Sequence, residues 1–229
     1  MLTIHGVPIS VHTRKVILAA IEKNIPYRND PVIPFNPPAG WAELSPTGKI
    51  PVVTLADDVA LRDSAVICAY LEKTHPTPPL YPTEAKAFAE ALWLQEYAGT
   101  LYREAVHGLF FQTVIRPKIL NQATDEKVIA AILEAALPKC FTYLEGCIAG
   151  DFLVEGRFGI ADIALVSNLI NFHYLGYTID GKRWPRLQRY FDTLLQRPSI
   201  RTALAAEVNV ATRMELDLGF AKKVDLAFA

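Results

Sequence analysis

Ser10 stands in the segment Pro8-Ile-Ser-Val-His-Thr-Arg-Lys-Val16, where a short β-like run has ended, a tight turn follows and a helical pattern begins. A helix start presents unpaired backbone N–H groups and the positive end of the helix dipole, so a hydroxyl placed there suits an anion. The chemistry this allows is thiol activation. Lowering the pKa of a free thiol, about 8.5, by about two units takes roughly 2.7 kcal/mol. A hydroxyl donor together with a helix N-terminus is able to supply that. Serine at this place is also, and more commonly, a plain N-cap. His12 and Thr13 are the nearby competitors, His12 as a lining residue or an exposed side chain and Thr13 as a substitute hydroxyl.

Two further segments carry binding chemistry. In Ser45-Pro-Thr-Gly-Lys-Ile-Pro-Val52 a turn enters a strand and leaves an open backbone edge at Ile50. If the Ile50–Pro51 bond is cis, the Ile50 N–H and C=O face outward and pair with a peptide-like ligand as an added strand would. Asp63-Ser64 precedes the apolar run Ala65-Val-Ile-Cys-Ala-Tyr-Leu71. Ser64 offers its N–H and hydroxyl to a carboxylate at that helix start, and Asp63 is placed to receive an ammonium. Read alone, an ordinary proline turn explains the first segment equally well, and simple capping explains the second better.

The elements that must position these residues come in two styles. Leu2 to His5 reads as a strand, Ser10 to Glu22 as a helix and Tyr27 to Val32 as a second strand, parallel to the first through a right-handed crossover. Trp41 to Leu44 reads as a helical turn, Pro51–Leu55 and Val59–Arg62 as a hairpin about Asp57-Asp58, and Asp63 to Lys73 as a helix capped by Asp63 or Ser64. This β-α-β-(α)-β-β-α order predicts an α/β thioredoxin-like domain over residues 1–74. The stretch from His75 through Pro82 holds four prolines and predicts a linker over 75–84.

An all-helical domain is expected over 85–229. One long helix runs from Glu84 to about Ile115 and stops near Arg116-Pro117. Thr124 caps a second, which continues toward Gly146 with a bend at Pro138. Ile160 to Tyr174 is apolar nearly all round and therefore central. Shorter helices cover Trp184–Gln196 and Ser199–Ala206, and no pattern is legible from Glu207 on.

Composition narrows the function classes. The chain has 229 residues, 51% hydrophobic and 21% charged, with a formal net charge of −1. It gives no electrostatic reason to expect nucleic acid or an anionic membrane as partner. No leader pattern is visible at Met1 to Gly6, and Ile160 to Phe172 is too short and too interrupted by Asp162, Ser167 and Asn168 to span a bilayer. A cytoplasmic protein is expected. The cysteines, Cys68, Cys140 and Cys147, are sparse, lack a CxxC pair and fall on apolar stripes. They read as buried structural thiols, not as a zinc site or a disulfide framework.

In order and spacing, the three segments together resemble the glutathione transferase family, of the bacterial, serine-type cytosolic class, and the resemblance covers almost the whole chain. Ser-x-x-x-Arg-Lys-Val, Ser-Pro-x-Gly-Lys-Ile-Pro-Val and Asp-Ser-x-x-Ile-x-x-Tyr-Leu look like its glutathione-binding domain. The Pro-rich linker and helical remainder look like its second domain. The resemblance implies that Ser10 donates a hydrogen bond to the glutathione thiolate. It gives Ile50, with Pro51, the backbone pairing to the cysteinyl unit, and gives Asp63 and Ser64 the charged γ-glutamyl end. Lys49 would meet a glutathione carboxylate. Phe158-Gly-Ile-Ala-Asp162 is similar to the family's buried capping motif with Gly159 at the cap, a structural role. With no cysteine at Ser10 and no Cys-Pro-x-Cys, glutaredoxin-like thiol–disulfide chemistry is disfavoured.

The same resemblance implies a detoxifying transferase that conjugates the glutathione thiolate to an apolar electrophile, with glutathione as co-substrate and neither a metal nor a permanently bound cofactor. It also implies a homodimer, and an electrophile pocket between the first domain and the first long helix of the second. Tyr102, His107, Gly108, Phe110 and Phe111 are the candidates on that helix, with Tyr102 as an acid toward a leaving group; an aromatic stripe there is also core or dimer surface. The alternatives are another glutathione-dependent reaction (dehalogenation, ether cleavage, isomerisation or peroxide reduction) and a non-catalytic binding protein of the same fold.

Overall fold

In a computed structural model of the protein, residues 1–224 are described, so the last residues of the expected 85–229 domain lie outside the described residues. The chain divides into two compact units, Met1–Tyr81 and the segment from Pro82 onward.

The first unit is built on a four-stranded sheet of order β2-β1-β3-β4 among the described residues. Its strands are β1 (Leu2–His5), β2 (Tyr27–Asp30), β3 (Val52–Thr54) and β4 (Ala60–Arg62), and its helices are α1 (Val11–Glu22), α2 (Trp41–Leu44) and α3 (Ser64–Thr74). β1 pairs parallel with β2 and antiparallel with β3, which pairs antiparallel with β4. The expected thioredoxin-like α/β order is borne out.

Side chains alternate across the sheet. Val52 packs with Val32 and Trp41 in a small cluster that Leu44, Ile50 and Ala60 extend. Val53, the register partner of Ile4, points the other way, and both are fully buried. α1 and α3 pack against each other. Their buried residues include Val16, Ala19 and Ala20 on α1 and Ile67, Cys68 and Leu71 on α3. His5 pins three strands, with Nδ1 2.8 Å from Asp30 Oδ2 on β2 and Nε2 2.9 Å from Thr54 Oγ1 on β3.

The second unit is helical among its described residues, also as expected. α4 (Ala85–Leu101) continues through a π-helical stretch (Tyr102–Val106), α5 (His107–Phe110) and a second π stretch (Phe111–Ile119). The expected stop near Arg116-Pro117 is therefore a few residues early. A helix resists an interior proline because its ring crowds the carbonyl four residues back. The wider π turn bonds one residue further back instead, as Leu120 N–H does to Ile115 O at 2.9 Å.

α6 (Glu126–Ala131), a third π stretch (Ile132–Ala136) and α7 (Leu137–Cys147) come next. Asp125, not Thr124, caps α6, accepting from Lys127 N at 3.1 Å and Val128 N at 3.4 Å. The Thr124 hydroxyl instead donates to Gln112 O at 3.0 Å. Pro138 is the second residue of α7, but the backbone is already helical through Ala136 and Leu137, so the proline lies inside a continuous helix and, as at Pro117, wider π turns accompany it. Cys68 and Cys140 are buried, but Cys147, the last residue of α7, is only half-buried.

α8 (Ile160–Tyr174) is buried at every position, as a centrally placed helix must be, and α4 packs along it. Its start departs from the family capping motif in the way the sequence indicates. Gly159 has no side chain to offer, so only the reciprocal half exists, with Asp162 Oδ2 accepting Gly159 N–H at 2.9 Å. Asp162 Oδ1 also accepts Leu153 N–H at 2.9 Å and the Tyr190 hydroxyl at 2.8 Å. α9 (Pro185–Leu195) and α10 (Pro198–Arg213) complete the unit before a 3₁₀ turn at Gly219–Val224. α10 runs well past the expected end at Ala206. Glu207, from which no pattern is legible in the sequence, lies on this extension; it is buried and accepts the Tyr174 hydroxyl at 2.8 Å.

Candidate functional site

Register brings the three segments to one end of the first unit's sheet. His5 on β1 is opposite Val52 on β3, and Val52 is opposite Arg62 on β4. These three residues form a row across the strands. From that row the chain continues through Gly6–Ile9 to Ser10, back from Val52 to Pro51 and Ile50, and on from Arg62 to Asp63 and Ser64. Residues far apart in sequence thus leave the sheet at the same end.

Ser10 is the N-cap of α1, with extended backbone at φ −67° and ψ 130°. Its Oγ accepts Thr13 N–H at 3.5 Å, a long bond. A hydroxyl that accepts in this way still has its own proton to donate, so capping and holding an anion are compatible roles. Among the described residues, no first-turn acidic side chain opposes a negative ligand at this helix start.

The Ile50–Pro51 bond is cis. The loop before it is pinned by the Ser45 hydroxyl donating to Lys49 O at 2.7 Å and by the Trp41 indole N–H donating to Gly48 O at 3.4 Å. Pro51 is buried, Ile50 half-buried and Lys49 exposed.

Asp63 caps α3, its Oδ1 accepting Ala65 N–H at 2.7 Å and Val66 N–H at 3.3 Å. Its backbone lies at φ 68° and ψ 129°, a conformation that costs a non-glycine residue about 1–3 kcal/mol. Such cost persists where the surroundings enforce it, commonly at ligand sites. Ser64, at the first position of α3, is buried, and its Oγ lies 3.5 Å from His12 Nδ1.

That last contact is one the sequence did not foretell. His12 is half-buried rather than exposed, and it joins the starts of α1 and α3. Only the fact that His12 lies on the first turn of α1 hinted at it. Thr13, the less favoured substitute hydroxyl for Ser10, lies in the interior. It is fully buried, and a Cβ added at Gly6 would lie 2.5 Å from its Oγ1. It therefore supports the Gly6 turn from beneath.

On the helical unit, Tyr102, His107 and Phe111 form a row. The Tyr102 and His107 rings are 5.4 Å apart and the His107 and Phe111 rings 6.3 Å apart. Burial raises the Tyr102 phenol above its ordinary pKa, which weakens it as an acid. Gly108 faces away from this row, toward Ile132, whose Cδ1 would lie 2.7 Å from a Cβ there. Of the thiols, Cys68 is pushed up to about 11 by burial and is no nucleophile. Among the described residues, no cluster of His, Cys, Asp and Glu is arranged to hold a metal, and no helix is long and apolar enough to cross a membrane.

Two adjoining sequence families match this architecture: the glutathione S-transferase N-terminal domain over residues 9–74 and the glutathione S-transferase C-terminal domain over residues 104–193. The chain belongs to the glutathione S-transferase family. It is 38% identical over 202 residues to the chloroplastic glutathione S-transferase DHAR3 of Arabidopsis thaliana, covering 86% of this chain and 69% of that one. It is 24% identical over 207 residues to the FtsZ-localized protein A of Caulobacter vibrioides, covering 89% of this chain and 90% of that one. Its fold matches a glutathione S-transferase from Methylobacillus flagellatus solved with glutathione bound, with TM-score 0.76 and 24% identity, covering 89% of this chain and 98% of that one.

Proposed function

We propose that the protein binds glutathione along the row formed by Ser10, Ile50–Pro51 and Asp63–Ser64 and activates its thiol for attack on an apolar electrophile. The observation that carries this is the shared sheet end. A tripeptide with an anionic thiol, an extended backbone and a charged amino-acid end needs three kinds of partner, and the common exit of the three segments at the His5–Val52–Arg62 row supports that reading.

The Ser10 hydroxyl donates a hydrogen bond to the thiolate at the α1 start. Ile50 pairs with the cysteinyl backbone in the manner of an added strand, and Pro51 closes that turn. Ser64 receives the γ-glutamyl carboxylate, with His12 behind it. Asp63 receives the ammonium while its Oδ1 still caps α3. Lys49, exposed beside Ile50, meets a glutathione carboxylate. The Tyr102–His107–Phe111 row offers the electrophile an aromatic surface. Glutathione is a co-substrate in this scheme. The domains are 1–74, a 75–84 linker and 85–229, and the working form is a cytoplasmic homodimer.

Calorimetry with glutathione tests the proposal. Binding at or below millimolar concentration is expected, and its absence would sink it. A second possibility, a protein-binding role without turnover, draws on the resemblance to a relative named for its localisation with FtsZ. It predicts no product from any member of a panel of electrophiles and peroxides. The same panel separates conjugation from dehalogenation, ether cleavage, isomerisation and peroxide reduction.

A further inference from the structure

Arg14 is the largest fully buried side chain among the described residues, at 0% exposure. It lies one helical turn after Ser10, and its own N–H closes the first turn of α1 onto Ser10 O at 2.8 Å. A guanidinium inside an apolar unit is expensive unless its donors are used. Arg14 uses its Nη2 on the chain just before the candidate catalytic serine, donating to Ile9 O at 3.3 Å.

That carbonyl belongs to the peptide unit that enters Ser10. The N–H of the same unit, on Ser10, donates to Val7 O at 3.1 Å. A peptide unit is planar, so holding its C=O on one side and its N–H on the other fixes its rotation. The direction in which the Cα–Cβ bond of Ser10 leaves the chain is set with it. Val7 is itself tied, its N–H donating to Val32 O at 3.2 Å, and so is Gly6, whose N–H donates to Asp30 O at 2.8 Å. The turn is thus anchored to the β2 side of the sheet from one end and to α1 from the other.

We propose that Arg14 is a positioning residue: it grips the peptide entering Ser10 and so sets the aim of the Ser10 hydroxyl at the glutathione thiol. This rests on the thiolate role proposed for Ser10. Arg14 itself touches neither ligand nor reacting atoms. Its rigid planar fork suits it to hold a carbonyl at a fixed angle, which the single rotating ammonium of lysine does not.

The test compares the wild type with Arg14→Lys, which keeps a buried positive charge and loses the fork. Affinity for S-methylglutathione, which has no thiol, is expected to stay within about two-fold. The titration midpoint of bound glutathione's thiol, followed by thiolate absorbance, is expected to rise by roughly half a pH unit or more. Turnover at neutral pH should fall about five-fold with little change in KM for glutathione. A structural role alone lowers the unfolding midpoint and leaves the thiol's acidity where it was. If Arg14→Lys does not fold, Arg14→Gln, which buries no charge, takes its place. A folded variant whose bound thiol titrates as in the wild type overturns the inference about Arg14. A wild type that binds S-methylglutathione but does not acidify the thiol of glutathione overturns the role of Ser10 itself, and this inference with it.

Discussion

Lys23 Nζ lies 2.6 Å from Glu72 Oε2, and the lysine side chain is wholly buried. The same ammonium donates to His75 O at 2.7 Å and Pro78 O at 2.9 Å, while Glu72 Oε2 accepts Leu80 N–H at 3.1 Å. Helices α1 and α3 thereby hold the proline-rich stretch after α3 through one ion pair. Removing one partner of such a pair costs more than removing both, because the survivor, here Glu72 at 20% exposure, is left without its countercharge. Lys23→Met is expected to lower stability by about 3 kcal/mol, and Lys23→Met/Glu72→Gln to recover part of it. Urea unfolding of the three proteins checks this.

Ser10→Ala separates capping from catalysis. Loss of a cap costs about 1 kcal/mol of stability. Loss of a thiolate donor should also raise the pKa of bound glutathione and cut turnover ten-fold or more, roughly 1.4 kcal/mol or above, with glutathione affinity little changed. Thiolate absorbance against pH, identical in both proteins, would show that Ser10 only caps α1.

Gly6→Ala should damage both fold and site. Gly6 lies at φ 153°, and an added Cβ would meet Thr13 Oγ1 at 2.5 Å and Ile50 Cβ at 3.2 Å. Overpacking of this kind costs about 1–3 kcal/mol. Because Ile50 is among the residues displaced, calorimetry should show weaker glutathione binding as well as a lower unfolding midpoint. Undiminished binding would mean the Ile50 edge does not contact the ligand.

Thr13→Val should do the reverse. Among the described residues, Thr13 Oγ1 is buried with no hydrogen-bond partner. Removing an unpaired buried hydroxyl at constant shape should raise stability by about 1 kcal/mol and leave turnover alone. A loss of turnover would restore Thr13 as a participant.

Asp162 makes stability depend on pH. Burial pushes its carboxyl up to about 6, against the lowering pull of Leu153 N–H, Gly159 N–H and the Tyr190 hydroxyl. The folded protein then holds this proton over a range, between about 4 and 6, in which the unfolded chain has released it. Its contribution therefore falls as pH rises through that window. The stability of wild type relative to Asp162→Asn should drop by about 3 kcal/mol between about pH 3.5 and pH 7. Parallel unfolding curves for the two proteins across that range would refute it.

Local features were legible in the chain because their causes are local. Short β-like runs marked Leu2–His5 and the Pro51–Arg62 hairpin about Asp57-Asp58, and a pattern apolar nearly all round marked Ile160–Tyr174 as central. Ser10, Asp63 and Ser64 announced themselves as residues at helix starts, and only their joint order with Ile50–Pro51 raised them above caps. Where the expectations failed, the deciding contact lay outside the local pattern. The helix reached past Pro117 because π turns absorb it, Thr124 turned to Gln112 while Asp125 took the cap, and α10 ran on past Ala206, with Glu207 held in the core by Tyr174.

The sequence by itself determined the types of group available and the elements that carry them, since propensity, capping and periodicity act within a few residues. Only the tertiary structure decided which of those groups meet. Strand register placed Ser10, Ile50 and Ser64 at one end of the sheet, packing put His12 against Ser64 and Thr13 beneath Gly6, and burial set Arg14 under the peptide that enters Ser10. The physical reason is that register and packing are long-range: they depend on which distant apolar faces exclude water together.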